Sequence, residues 1–148
     1  MTELNSLEKL HDEWSKDSVI DETELSKESA KIPKLHSKYL KILSTHNLKV
    51  KAYDFEIKKL RKLKWRYFTG KLDEDELKQL GWTQFPYILK NDVEIYMEAD
   101  EDLTKLYLKK AFHEEVVEAA RAIMKELNSR TYQIRDQISW NKFINGVS

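Results

Sequence analysis

From Leu103 to Asn141 the chain repeats a spacing of three and four residues without a slip: Leu103, Leu106, Lys110, His113, Val117, Ala120, Met124, Leu127, Thr131, Ile134, Ile138 and Asn141. Eight of these twelve positions are apolar, a seam sustained over five heptads, and that period specifies one long α-helix. A second stripe, Leu108, Phe112, Val116, Ala119 and Ile123, lies about 100° around the same helix. A helix apolar on two adjacent faces requires two neighbours. Packing against the preceding helices satisfies that requirement, and so does self-assembly into a ring or bundle. In the second case Leu106, His113, Val117, Ala120, Met124, Leu127, Ile134 and Ile138 form the oligomerisation face. The polar Lys110, His113 and Asn141 then set register and partner number.

The rest of the chain is also short of breakers. Three glycines and two prolines in 148 residues lie far below the roughly 12% of an average chain, which argues against a turn-rich sandwich or barrel and for long helices in a mainly α fold. That length holds one domain, 1–148, divided into a helical region 1–99 and a long helix 100–148. A first amphipathic helix runs from Glu3 to Lys16 on Leu4, Leu7, Leu10 and Trp14. Asp17-Ser18 interrupts it, and Asp21 stands as an N-cap before Glu22, Thr23 and Glu24. The next helical pattern passes through Leu25, Ile32, Leu35, Tyr39 and Ile42, where Pro33 should kink or split it. Thr45-His46-Asn47 is the expected break before a further helix ending near Gly70. Residues 71–99 are the least regular: a short helix closed by Gly81, then Phe85–Leu89 and Val93–Met97 as a possible β-hairpin around 87–97.

Twenty-six basic and twenty-six acidic residues cancel to zero, but they are not mixed. Residues 1–30 carry a net −6, residues 31–71 carry thirteen basic and two acidic side chains for a net +11, residues 72–102 a net −8, and the remainder +3. A basic block flanked by acidic ones points to nucleic acid or another anionic surface as partner. The sequence lacks cysteine, consistent with a reducing compartment. The charged N-terminus does not read as a signal peptide, and no run of 18 apolar residues spans a membrane.

Searches for catalysis return nothing. His113-Glu114-Glu115 has Val117 where a zinc-protease helix needs its second histidine. His11, His36, His46 and His113 lack ligand spacing, and Gly70-Lys71 lacks the preceding glycine of a phosphate loop. The carboxylates fall in solvated runs such as Asp73–Glu76. The expectation is a non-enzyme without metal or cofactor.

The informative segment is Ile57–Gly70. On a helix, Tyr53, Ile57, Leu60, Leu63 and Tyr67 share an apolar face, while Lys58, Lys59, Lys62 and Arg66 lie opposite and Arg61 lies at the margin. Trp65 projects among the cations. Lys64 falls on the apolar stripe, so it must reach outward or line a subunit junction. Cations that track a phosphate backbone, with aromatic rings for stacking, suit sequence-tolerant binding of a single strand. Lys58, Lys59, Arg61, Lys62, Lys64, Trp65, Arg66 and Tyr67 are therefore the candidate DNA-binding residues. Two other classes compete: a coiled-coil scaffold whose basic helix docks an acidic protein, and a basic amphipathic helix on a membrane surface. Lys64 in the apolar stripe and the acidic blocks weigh against the membrane.

Taken in order along the chain, four short motifs resemble the UvsY family of recombination mediators of T-even-type tailed phages. They are Asp21-x-Thr23-x-Leu25, Ser37-Lys38-Tyr39-Leu40, Leu60-x-Lys62-x-Lys64-x-x-Tyr67-Phe68-Thr69-Gly70, and Ala99-Asp100-x-Asp102. In that family a Lys-x-Arg pair before a Tyr-Tyr-Ser-Gly-like end contributes to binding single-stranded DNA, and the matching positions are Lys62 and Lys64, with lysine in place of arginine. Trp65 and Arg66 stand where the family pattern has a leucine and an acid. The resemblance implies a non-catalytic hexameric or heptameric ring, assembled through its C-terminal region in the cytoplasm of the infected bacterial host. Its implied partners are single-stranded DNA, the phage single-strand-binding protein it helps displace, and a RecA-like recombinase it loads.

Overall fold

The computed structural model describes residues 2–146, with side chains from Ser6 onward, so Leu4 of the first stripe lies outside the described side chains. The described residues form five α-helices: α1 (Thr2–Asp17), α2 (Leu25–Phe68), α3 (Glu74–Leu80), α4 (Val93–Glu98) and α5 (Glu101–Ile144). A 3-10 turn occupies Lys90–Asp92, and no strand occurs among the described residues. The mainly α class follows from the sequence, and α5 is the long helix its seam specifies.

Several local expectations are corrected. The hairpin is absent: Val93–Glu98 is helical because Val93 and Met97, four residues apart, both bury on one side of a single helical turn. Neither Pro33 nor Thr45-His46-Asn47 interrupts α2, which runs 44 residues. Pro33 and Ser29 are both exposed, so water can satisfy the Ser29 carbonyl that the proline ring leaves without a donor. At 45–47 tertiary contact overrides weak propensity, since His46 Nδ1 lies 2.8 Å from His113 Nδ1. Asp21 stands further from the helix than an N-cap does. Its carboxylate accepts the Thr23 amide and hydroxyl in a tight turn, and α2 starts at Leu25. Both expected glycine stops hold, with Gly70 and Gly81 in the left-handed region at φ 71° and 69°.

The residues group into two compact units that cut across the 99/100 division, because both long helices contribute to each. One comprises Met1–Leu48 and Phe112–Ser148. Its core is Leu10, Tyr39, Val116, Ile123 and Leu127, with Leu7, Trp14, Leu35, Ile42, Phe112 and Met124 packed around it. Tyr39 is fully buried, and its hydroxyl donates to Asp17 at 2.8 Å, where Lys38 Nζ also binds at 2.7 Å. Burial works against the charge on Asp17, but the hydrogen bonds from Lys38 and Tyr39 outweigh it and hold the carboxyl below its ordinary value. Arg130, 4% exposed, donates to the Asp17 and Ser18 carbonyls at 3.0 and 2.9 Å and so caps the C-terminal end of α1.

This packing also consumes the seam. His113, Val117, Ala120, Leu127 and Ile134 are buried within the chain, while Met124 packs on the same core. Leu106 is half-buried. Of the eight expected oligomerisation residues, Ile138 alone is exposed. Apart from Leu108 and Ile138, which stay exposed, the apolar residues of the α5 stripes are covered or half-covered within the protomer, those of the first unit by side chains of α1 and α2.

The other unit, Lys49–Ala111, has Phe68, Val93, Met97 and Leu103 at its centre, with Leu60, Tyr67, Phe85 and Ile88 against them. Asp73 caps α3 by accepting the Glu76 amide at 2.8 Å, and Asp100 caps α5 by accepting the Leu103 amide at 3.0 Å.

Candidate nucleic-acid interface

The eight residues read from the sequence as a DNA-binding face lie in the second unit, and the structure sorts them into two sets. Lys58, Lys59, Lys62 and Trp65 are exposed. The three lysines carry no ion pair among the described residues, and Lys58 lies 5.6 Å from the Phe55 ring. The others are engaged with neighbouring elements. Arg66 forms a bidentate pair with Glu76 of α3, at 2.9 and 3.0 Å. Arg61 faces Glu94 of α4 at 3.6 Å. The Tyr67 hydroxyl donates to the Thr83 carbonyl at 2.7 Å, and its ring joins Phe68, Trp82 and Phe85 in an aromatic cluster.

Lys64 is the correction. Its position on the apolar stripe suggested a reach outward or a subunit junction, yet it is 5% exposed and turned into its own unit. The ammonium sits 2.9 Å from Asp100 and 2.8 Å from Asp102, over the Trp82 ring at 4.4 Å from its centroid. Burial pulls the Lys64 proton off, but the hydrogen bonds to Asp102 and Asp100 prevail and hold its pKa above the ordinary value. The same contact, led by the hydrogen bond from Lys64, lowers the Asp102 carboxyl. Lys64 is thus spent on folding, and its two aspartates are those of the Ala99-Asp100-x-Asp102 motif.

What remains at the surface is a line. Lys58, Lys62, Trp65 and Thr69 recur at four, three and four residues, which places the first three along one face of α2 and Thr69 in line just past its end. Lys71, past the end of the helix, folds back so that its ammonium lies 4.2 Å from the centroid of Trp65. Fixed cations in a row beside an exposed indole can neutralise successive phosphates and stack a base, without any element that reads sequence. The candidate set read from the sequence stops at Tyr67 and leaves out Lys71, although the basic block 31–71 contains it; no helical period reports that a residue past the end of α2 folds back onto Trp65.

Among the described residues no three His, Asp or Glu side chains converge to hold a metal ion, and no helix is long and apolar enough to cross a membrane. Comparison with known proteins adds fold and lineage. Two crystal structures of the bacteriophage T4 recombination mediator protein UvsY superpose on the chain with TM-scores of 0.82 and 0.81. The first is 24% identical over 94% of this chain and 97% of that one, the second 23% identical over 93% and 98%. No curated protein sequence matches significantly. Residues 13–147 match the family described as recombination, repair and ssDNA binding protein UvsY. The chain belongs to the UvsY family.

Proposed function

We propose that this protein is a non-catalytic recombination mediator that binds single-stranded DNA through the exposed face of α2. The observation that carries the reading is the line Lys58–Lys62–Trp65, solvent-facing and clear of the ion pairs that occupy Arg61, Lys64 and Arg66. One such face binds weakly. Several copies on a homo-oligomer, a hexamer or heptamer, hold a flexible strand at high effective concentration. The strand, stretched across those copies, is handed from the phage single-strand-binding protein to a RecA-like recombinase in the cytoplasm of the infected host.

With the oligomerisation seam spent inside the protomer, assembly falls to the end of α5. There Tyr132, Trp140, Phe143 and Ile144 are exposed and lie within an arc of about 120°. Trp140 and Phe143 already stack, 5.7 Å between centroids. The reading is tested by titrating a labelled oligonucleotide at two salt concentrations while measuring the mass of the free protein. Binding that weakens with salt, by an oligomer, is expected. Absence of binding at moderate salt, from a protein that still assembles, would favour a scaffold whose basic helix docks an acidic protein.

A further inference from the structure

Beside the Lys58–Lys62–Trp65 line, the second unit holds a cavity of about 410 Å³, within the range of small-molecule sites. Trp65 and Thr69 belong to both, so the cationic line runs directly to the cavity mouth. Phe68 and Phe85 are buried and half-buried in the unit's aromatic cluster, 4.8 Å apart and edge to face, and they also line the cavity. Tyr87 at its border is 92% exposed, an unusual position for a ring that packing alone would hide. Lys71 and Lys90 bring two positive charges to the same lining. Gln84 adds a primary amide with a donor and an acceptor, its nitrogen 3.8 Å from where a Cβ on Gly70 would stand.

We infer that this cavity receives one unpaired nucleobase from the strand that α2 binds, stacked on Tyr87 and on Trp65 in place of the Lys71 ammonium that lies 4.2 Å over that ring, with Lys71 and Lys90 moving onto the flanking phosphates. The inference rests on the proposed single-strand reading and adds a site to it. An aromatic, uncharged interior bordered by cations matches the two halves of a nucleotide, a flat ring and an anion. A line of lysines alone attracts any polyanion, duplex included; a cavity for a base admits only a strand whose bases are unpaired. Gln84 presents both hydrogen-bonding polarities, so the site tolerates any base. A mediator that holds a base out of the stack also keeps the strand extended between protomers.

The experiment uses the full-length protein and two labelled oligomers of equal length, one of thymidine and one of abasic sugar-phosphate, so that the phosphates are constant. Wild type is expected to bind the thymidine strand about tenfold more tightly, the size of a stacked base. Trp65→Ala and Tyr87→Ala, both at exposed positions, are expected to erase most of that preference. Their loss falls far more heavily on the thymidine strand than on the abasic one, and Trp65→Phe retains the preference. Equal wild-type affinity for the two strands overturns the cavity assignment while leaving the cationic line in place. So does an equal loss on both strands in the alanine variants. Binding to neither strand removes the single-strand reading and the cavity with it. A third arm adds an acidic peptide carrying one aromatic residue. If the peptide depends on Trp65 and Tyr87 while thymidine binding does not, the cavity belongs to a protein partner and the proposal fails.

Discussion

Lys64 of α2 and Asp100, the residue that caps α5, form an ion pair of 2.9 Å in which both side chains are more than nine-tenths buried. Removing one partner strands the other charge away from water, a loss of about 3–5 kcal/mol. Lys64→Ala is therefore expected to lower the melting temperature by about 6–20 °C, read by circular dichroism. Its slope of affinity against salt should match wild type. A Lys64→Ala protein of normal stability that binds DNA with a shallower salt slope would return this residue to the surface.

The converse behaviour belongs to the exposed lysines. Lys58, Lys59 and Lys62 form no ion pair among the described residues, so replacing all three by alanine should leave stability within about 0.5 kcal/mol. For a single strand, each phosphate that a lysine ceases to neutralise reduces the slope of log affinity against log salt by about 0.7. With up to three such phosphates per protomer, the slope falls by about 2. Fluorescence anisotropy over a salt series measures it, and a slope equal to wild type removes these lysines from the interface.

How far the sequence discloses this arrangement depends on what each residue meets. The seam of α5 and the stops at Gly70 and Gly81 are local, written as period and as positive φ. The basic face is legible for the same reason: residues 58, 62 and 65 share a helix side wherever the helix packs. Lys64 shows where such reasoning stops. Its neighbours Asp100 and Asp102 stand 36 and 38 positions later, and no periodicity reports that a cation on an apolar stripe has found them. The helix at Val93–Glu98 was hidden by β-prone residues in a six-residue element, too short to show a period of 3.6. The motif Ser37-Lys38-Tyr39-Leu40 reads as a pattern and becomes physical only once Lys38 and Tyr39 are seen on the carboxylate of Asp17.

That carboxylate makes stability depend on pH. Its folded pKa lies below the ordinary 3.8. The unfolded chain therefore takes up its proton first, and the stabilisation is complete above that value. It is lost as the pH falls through the lowered folded value. Tyr39→Phe removes one buried donor to this charge, at about 1.5–3 kcal/mol near neutrality. The gap between variant and wild type should narrow below pH 3.8, as protonation weakens the bond in wild type too. Urea denaturation at neutral and acid pH checks this, and a gap that widens toward acid contradicts the placement of Tyr39 on a charged Asp17.

Assembly supplies the last contrast, because two sets of apolar residues on α5 compete for it. Val117 is 5% exposed and packed within its own chain, whereas Trp140 and Phe143 are 58% and 74% exposed. A charge at Val117 is buried without a partner, so Val117→Glu should destabilise the protomer by several kcal/mol. Trp140→Glu with Phe143→Glu places two carboxylates on an open surface, which a protomer tolerates and an apolar interface between copies does not. Sedimentation should then give a smaller species for the double variant, with its helix content and melting profile retained at low concentration. If the double variant keeps the mass of wild type, the end of α5 is not where copies of this chain meet. In that event Leu108 on the same helix, 65% exposed, is the next position to substitute.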